Sequence, residues 1–253
     1  MTGSFGEQDL KRFHDDGYVA FPGFLTTPQL ADLQDNVDRF IRDVISKMPP
    51  EEVFYEDKVR PETLKQIQRM FEHDDYFHDL MFDSRFEQLA ADLLQHDVRG
   101  VNMQYFNKPP MIGQATPAHQ DGWYFMLEPN EAVTMWLALD DVDEENGCVR
   151  YIRGSHRHGL RPHGRTQTLG FSQGLLDFGT EDDVQHEAAF PASPGDLLVH
   201  HALTVHRADG NRSPTRSRRA LGFIYYSTAA QESPEKQQRH RALIEDLRNS
   251  GKI

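Results

Sequence analysis

The feature that most constrains this chain is a change of periodicity near residue 98. Before it, apolar residues recur at helical spacing, as in Leu30, Leu33, Val37, Ile41 and Ile45. After it, short apolar runs alternate with Gly, Pro, Asn and Asp turns. Val98–Phe106, Ala132–Asp140, Cys148–Ile152, Glu187–Phe190, Asp196–His200, Thr204–His206 and Arg218–Ser227 all read as strands. Many short strands after a helical opening predict a mainly β fold with flanking helices, a sandwich or jelly roll.

The opening holds further expectations. Glu7–Asp15 reads as a short helix and Tyr18–Phe21 as a strand closed by Pro22-Gly23. Thr27 is expected to cap a helix with Pro28 at its first position, running to about Met48. Glu51–Pro61 reads as an irregular, charged segment, either a lid over a site or a solvated connection. Thr63–Gln95 reads as two or three helices with Leu80, Met81, Phe86, Leu89 and Leu93 inward. The stretch from His156 to Asp183 reads as a long loop, the kind that is usually functional or mobile. Ser233–Ser250 reads as a closing helix with Leu243 and Leu247 on its inner face. These 253 residues suit one domain: a helical part over 1–97, a β core over 98–228 and a terminal helix over 229–253.

Net charge of −13 argues against a nucleic-acid backbone or an anionic membrane as main partner. Cys148 is the only cysteine, so no internal disulfide forms, as suits a reducing cytoplasm. No basic and then apolar leader opens the chain, and no apolar run approaches about 18 residues. Gly251-Lys252-Ile253 is not a peroxisomal tripeptide. Cytoplasmic localisation is the expectation. Nothing in the sequence sets an oligomeric state.

Within the β region stands Ala118-His119-Gln120-Asp121-Gly122-Trp123. On an extended segment, His119 and Asp121 project to one side, because strand side chains alternate. One imidazole and one carboxylate make two-thirds of a facial triad, which leaves half of an octahedral iron open. A later histidine would complete it, with His206 the candidate and His200 and His201 its competitors. The same spacing at His14-Asp15-Asp16 and His73-Asp74-Asp75 reads as surface positions on or beside helices.

The surroundings are more specific. Asn107-Lys108-Pro109-Pro110 precedes the His-x-Asp segment. Asn146-Gly147-Cys148, Gly154-Ser155-His156, Gly195-Asp196, His206, Asn211 and Arg218-Arg219-Ala220 follow it in order. This series resembles the phytanoyl-CoA dioxygenase family, Fe(II)- and 2-oxoglutarate-dependent oxygenases on a double-stranded β-helix, a cupin-like jelly roll. The likeness runs from about Asn102 to Tyr226, and Gly17–Leu25 resembles the family's opening strand.

The resemblance implies that His119, Asp121 and His206 ligate Fe(II). It implies that 2-oxoglutarate and O2 are cosubstrates and that a small molecule is hydroxylated with release of succinate and CO2. Retention of Asp121 favours hydroxylation over halogenation. Arginine suits the far carboxylate of 2-oxoglutarate through its permanent charge and bidentate fork. Among Arg212, Arg216, Arg218 and Arg219, parity selects Arg218. It shares a face with the small Ala220 and Gly222, whereas Arg219 shares one with Leu221, Phe223 and Tyr225. Arg216 stays open, because Arg218 stands one residue beyond the family's commonest spacing from His206.

Gln104, Trp136 and Thr134 are expected cosubstrate contacts by their place in the pattern, with a core Trp the alternative for Trp136. Ala208 stands where family members often carry a hydroxyl, and Arg153 where a Pro often precedes the Gly-Ser-His turn. Trp123, Tyr124 and Phe125 are candidates for the substrate pocket. The run His156, Arg157, His158, Arg161, His163 and Arg165 either attracts an anionic substrate or is a hydrated loop. Two further readings stay open. One is a catalytically silent protein that binds metal and 2-oxoglutarate. The other is a jelly-roll metalloenzyme that does not use 2-oxoglutarate.

Overall fold

The computed structural model describes residues 5–168 and 171–235 with positions 238, 242, 245 and 249; side chains at 167, 168, 171 and 172 lie outside the description. The closing helix expected over Ser233–Ser250, with Leu243 and Leu247, falls largely outside the described residues.

Two facing antiparallel sheets form the body. The larger runs in the order Tyr18–Phe21, Leu197–His201, Ala132–Ala138, Arg218–Ser227, Val98–Lys108, Leu64–Ile67, Val53–Tyr55. The smaller runs Glu187–Phe190, Val149–Ile152, His206–Ala208, Thr116–His119. Strand parity divides the larger sheet. Leu221, Phe223 and Tyr225 face outward with Met103, Tyr105, Met135 and Leu137. They pack on helices Thr27–Asp43, Asp75–Met81 and Arg85–Leu94, where Phe86 stacks on Phe223 at 4.2 Å between centroids. Covering the sheet this way removes from water side chains worth about 1.5–3 kcal/mol each. The opposite face carries Trp136, Ala138, Leu198 and Ala220 toward Cys148, Val149 and Tyr151 of the smaller sheet.

Several expectations change. Leu64–Ile67 is a strand, not helix, and pairs with Val53–Tyr55 inside the segment read as irregular. Thus the first 97 residues add three strands to the larger sheet. Thr26, not Thr27, is the N-cap of the second helix, and its N–H and hydroxyl both donate to Gln29 Oε1, at 3.0 and 2.9 Å. That helix ends at Asp43, with a 3-10 turn at Ile45–Lys47 beyond it. The long loop contains a hairpin, His163–Thr168 with Phe171–Leu175, and a helix, Glu181–His186. Thr204 lies before its strand, which spans His206–Ala208. Among the described residues, no helix is long and apolar enough to cross a membrane.

Candidate metal and cosubstrate site

Motif residues of the β core fasten the turns that lead into the site. Asn146 closes its turn by accepting from Asp143 N at 2.8 Å and donating to Asp141 O at 2.8 Å. Gly147 follows at φ 89°, and a Cβ there would meet Asp209 O at 2.4 Å. Ser155 Oγ accepts from Val205 N at 2.9 Å, which anchors the residue before His206. Asn211 donates to Lys108 O and Arg216 O, both at 2.7 Å, and so shapes the turn before Arg218.

His119 ends its strand, and His206 opens the strand paired with it, His206 opposite His119. Asp121 does not continue the strand. Its backbone is right-handed helical (φ −59°, ψ −34°), just before the helical turn Gly122–Phe125. Its carboxylate reaches His119 through this bend, so alternation along a strand is not what brings the two together. Ligand atoms of His119, Asp121 and His206 all lie within 4.8 Å of one another, the only such group of three among the described residues.

The donor set suits a divalent metal. His119 Nδ1 lies 2.8 Å from Pro117 O, and His206 Nδ1 lies 3.0 Å from Thr204 O. A carbonyl only accepts, so each Nδ1 carries the proton and each Nε2 keeps its lone pair. Those Nε2 atoms stand 3.5 and 3.8 Å from Asp121 Oδ1. Burial first, then the neighbouring His119 and His200, holds His206 well below the ordinary imidazole range, and thus neutral. Burial alone would raise Asp121. The surrounding His206, His119 and His200 imidazoles outweigh that and hold the carboxyl well below its usual range.

Asp121 Oδ2 is engaged separately. Thr134 Oγ1 donates to it at 2.6 Å and His200 Nε2 lies 3.1 Å away. Thr134, expected at the cosubstrate, therefore has its hydroxyl on the carboxylate. Tyr151 Oη lies 3.0 Å from His200 Nδ1. Burial raises the Tyr151 phenol well above its normal range, so it keeps its proton.

Arg218 is 4% exposed, with its guanidinium 5.3 Å from the Trp136 ring centroid and its Nε buried without a hydrogen-bond partner. A buried guanidinium with an unanswered donor suits a carboxylate ligand. Burial pushes its pKa down to about 10, so it stays charged at neutral pH. Gln104 and Trp136 flank Gly222 in register on this face. Gln104 Oε1 accepts from Gln66 Nε2 at 2.5 Å. Arg216 is held on the surface by Asp143 and Glu145, and Arg219 on the other face by Asp140 and Asp38.

The pocket candidates part company. Tyr124 presents an edge to His119 at 6.0 Å, and its hydroxyl lies 2.7 Å from Gln173 O. Trp123 stacks on His163 at 4.7 Å. Phe125 is core, packed on Tyr226. Arg161 of the basic run is paired with Asp177 and Asp183. Sequence reading missed Tyr151, Gln66 and the Gln120 contacts with Gly159, Leu203 and Arg161. His200 was readable in part, because it shares a strand face with Leu198.

The phytanoyl-CoA dioxygenase (PhyH) family model matches residues 13–220. A phytanoyl-CoA dioxygenase domain-containing protein 1 homolog of Caenorhabditis elegans is 30% identical over 146 residues. The match takes in 55% of this chain and 51% of that one, so it spans about half the length of the relative. Phytanoyl-CoA dioxygenase 1 of Oryza sativa subsp. japonica is 25% identical over 259 residues, with 90% of this chain and 91% of that one covered. The crystal structure of EvdO2 from Micromonospora carbonacea var. aurantiaca complexed with 2-oxoglutarate is similar at TM-score 0.72. Its identity is 24%, over 92% of this chain and 95% of that one. With the family model covering most of its length, the chain belongs to the phytanoyl-CoA dioxygenase (PhyH) family of Fe(II)- and 2-oxoglutarate-dependent dioxygenases.

Proposed function

We propose that this chain hydroxylates a small-molecule substrate, with 2-oxoglutarate and O2 consumed and succinate and CO2 released. His119, Asp121 and His206 hold Fe(II) in this reading, and Arg218 takes the far carboxylate of 2-oxoglutarate, with Gln104 and Trp136 beside it. One observation carries it. A largely buried three-donor cluster and a buried guanidinium with an unanswered Nε meet the inner face of one sheet.

Bound there, Fe(II) with 2-oxoglutarate supplies the oxidising chemistry. The chain's own residues set its conditions. His119 and His206 would offer their Nε2 lone pairs. Asp121 supplies one negative charge. Arg218 fixes the cosubstrate's orientation by charge and fork geometry, and the Trp136 ring covers the guanidinium and keeps water from it. Thr134 and Trp136 stand two residues apart on one strand face, about 7 Å along the sheet. They therefore link the carboxylate end of the site to the arginine end.

Tyr124, whose ring edges His119, would line the substrate's place beside the metal. Of the basic run, Arg161 is committed to Asp177 and Asp183 and gives no support to an anionic substrate. A reducing compartment such as the cytoplasm suits the buried free thiol of Cys148.

The test is an anaerobic titration of apo-protein with Fe(II) and 2-oxoglutarate, read by the visible charge-transfer band of the chelate. O2 is then admitted and succinate assayed. A band followed by succinate supports the assignment. Bound iron without a band refutes the cosubstrate role and favours another jelly-roll metalloenzyme. A band without succinate across substrate pools favours a silent binding protein.

A further inference from the structure

The two oxygens of Asp121 have different surroundings. Oδ1 faces the Nε2 atoms of His119 and His206 at 3.5 and 3.8 Å. Oδ2 faces two hydrogen-bond donors, Thr134 Oγ1 at 2.6 Å and His200 Nε2 at 3.1 Å. A carboxylate oxygen has two lone-pair sites, so two donors saturate it.

The His200 tautomer follows from Asp121. An ionised carboxylate only accepts, so Nε2, 3.1 Å from Oδ2, carries the imidazole proton, and Nδ1 accepts from the Tyr151 hydroxyl 3.0 Å away. The opposite tautomer would set a lone pair against the carboxylate. All three donors sit on rigid elements. His200 and Thr134 are register partners on adjacent strands of the larger sheet. Tyr151 belongs to the smaller sheet, opposite His206, and its ring stacks on Tyr18 at 4.7 Å.

We propose that Thr134, His200 and Tyr151 form a clamp that denies Oδ2 of Asp121 to the metal and holds the carboxylate to one-oxygen coordination. The inference rests on reading His119, Asp121 and His206 as an Fe(II) centre. An octahedral ion bound by two imidazoles and one carboxylate oxygen keeps three positions open. A carboxylate binding through both oxygens would take one of them, in competition with a bidentate 2-oxo acid. Thr134 and His200 act through Asp121 and are positioning residues, and Tyr151 acts through His200.

The test uses Thr134→Val, His200→Phe and the double variant, with His200→Gln restoring an N–H donor. Fe(II) affinity is measured first. The 2-oxoglutarate affinity of the iron-loaded protein is then read from the charge-transfer band. Thermal unfolding of each apo-protein checks the fold. If the clamp acts as proposed, the 2-oxoglutarate Kd of the double variant rises about tenfold while its Fe(II) Kd stays within about threefold, and His200→Gln recovers most of the loss. Thr134→Val alone, which removes one donor and keeps the side chain's shape, gives a smaller rise in the same direction.

A merely orienting role gives the opposite pattern, an Fe(II) affinity about tenfold weaker with the 2-oxoglutarate affinity of the loaded protein unchanged. That pattern, or no change in either, overturns the clamp. Absence of a band in the wild type overturns the iron and cosubstrate reading and the clamp with it. A normal wild-type band with either contrary pattern overturns the clamp alone.

Discussion

The Arg218 guanidinium lies 5.3 Å from the ring centroid of Trp136, and its Nε is buried with no hydrogen-bond partner. An isolated buried charge costs several kcal/mol, and an opposite charge with good geometry offsets much of that. Arg218→Ala should therefore raise the KM for 2-oxoglutarate on the order of 100-fold, equivalent to about 3 kcal/mol. Arg216→Ala should leave it within about twofold, because Arg216 pairs with Asp143 and Glu145 at the surface. Succinate formation against 2-oxoglutarate concentration checks both. A large effect at Arg216 with none at Arg218 would reverse the assignment.

Asp121 supplies the one formal negative charge among the three candidate ligands. Asp121→Ala should abolish succinate formation and strip the protein of stoichiometric Fe(II). It removes both the ligand and the acceptor that Thr134 and His200 share. Iron content after desalting, beside the succinate assay, is the measurement. Full activity in the variant would sink the ligand set.

Much of this was legible because strands alternate. The contrast between Arg218-Ala220-Gly222 and Arg219-Leu221-Phe223-Tyr225 is a parity argument, and the two faces of the sheet follow it. His119 and Asp121 do meet, but alternation is not the reason, since Asp121 sits in a helical bend. Leu64–Ile67 misled because two apolar residues three apart fit a helix as well as a strand. Pairing with Tyr105 and Phe106, distant in sequence, decides it. The hairpin at His163–Leu175 lacks an apolar alternation of its own. Its fastening comes from outside, where the backbone of Gln173 bonds Tyr124 and Gly174 packs on Pro117. The clamp on Asp121 was hidden for the same reason, since it joins residues from two sheets.

His201 should make the protein's stability depend on pH. Its pKa is pushed down to about 4, first by burial and then by His156, His200 and His14. Its Nδ1 accepts the Leu203 N–H at 3.1 Å, an acceptor that protonation would remove. The unfolded chain has the ordinary value of about 6.5, so it takes up the proton first. The contribution of His201 is thus full above about pH 6.5 and is lost as pH falls from there toward about 4. His201→Asn keeps a side-chain oxygen for the Leu203 N–H and does not titrate. Urea unfolding between pH 7.5 and 4.5 should show a shallower loss in the variant. Identical slopes would assign the acid sensitivity elsewhere.

Gln120, between the two proposed ligands, faces away from them and is fully buried. Its Nε2 donates to Gly159 O at 2.8 Å and Leu203 O at 2.7 Å, and its Oε1 accepts from Arg161 N at 2.8 Å. One side chain thereby ties the His119–Asp121 segment to the turn before His206 and to the loop leading into the hairpin. Gln120→Leu keeps similar bulk and strands two carbonyls and one N–H. Each costs roughly 1–3 kcal/mol where water cannot reach it. A net loss of about 3 kcal/mol is expected, which for a chain of this size lowers the Tm by about 6–12 °C. The apo-protein should show the full drop, since the contacts involve no metal. Iron affinity should fall as well, because the turn through Leu203 fixes the approach to His206. A melting temperature equal to wild type would mean that water satisfies these groups and that the ligand segment is held by its strand pairing alone.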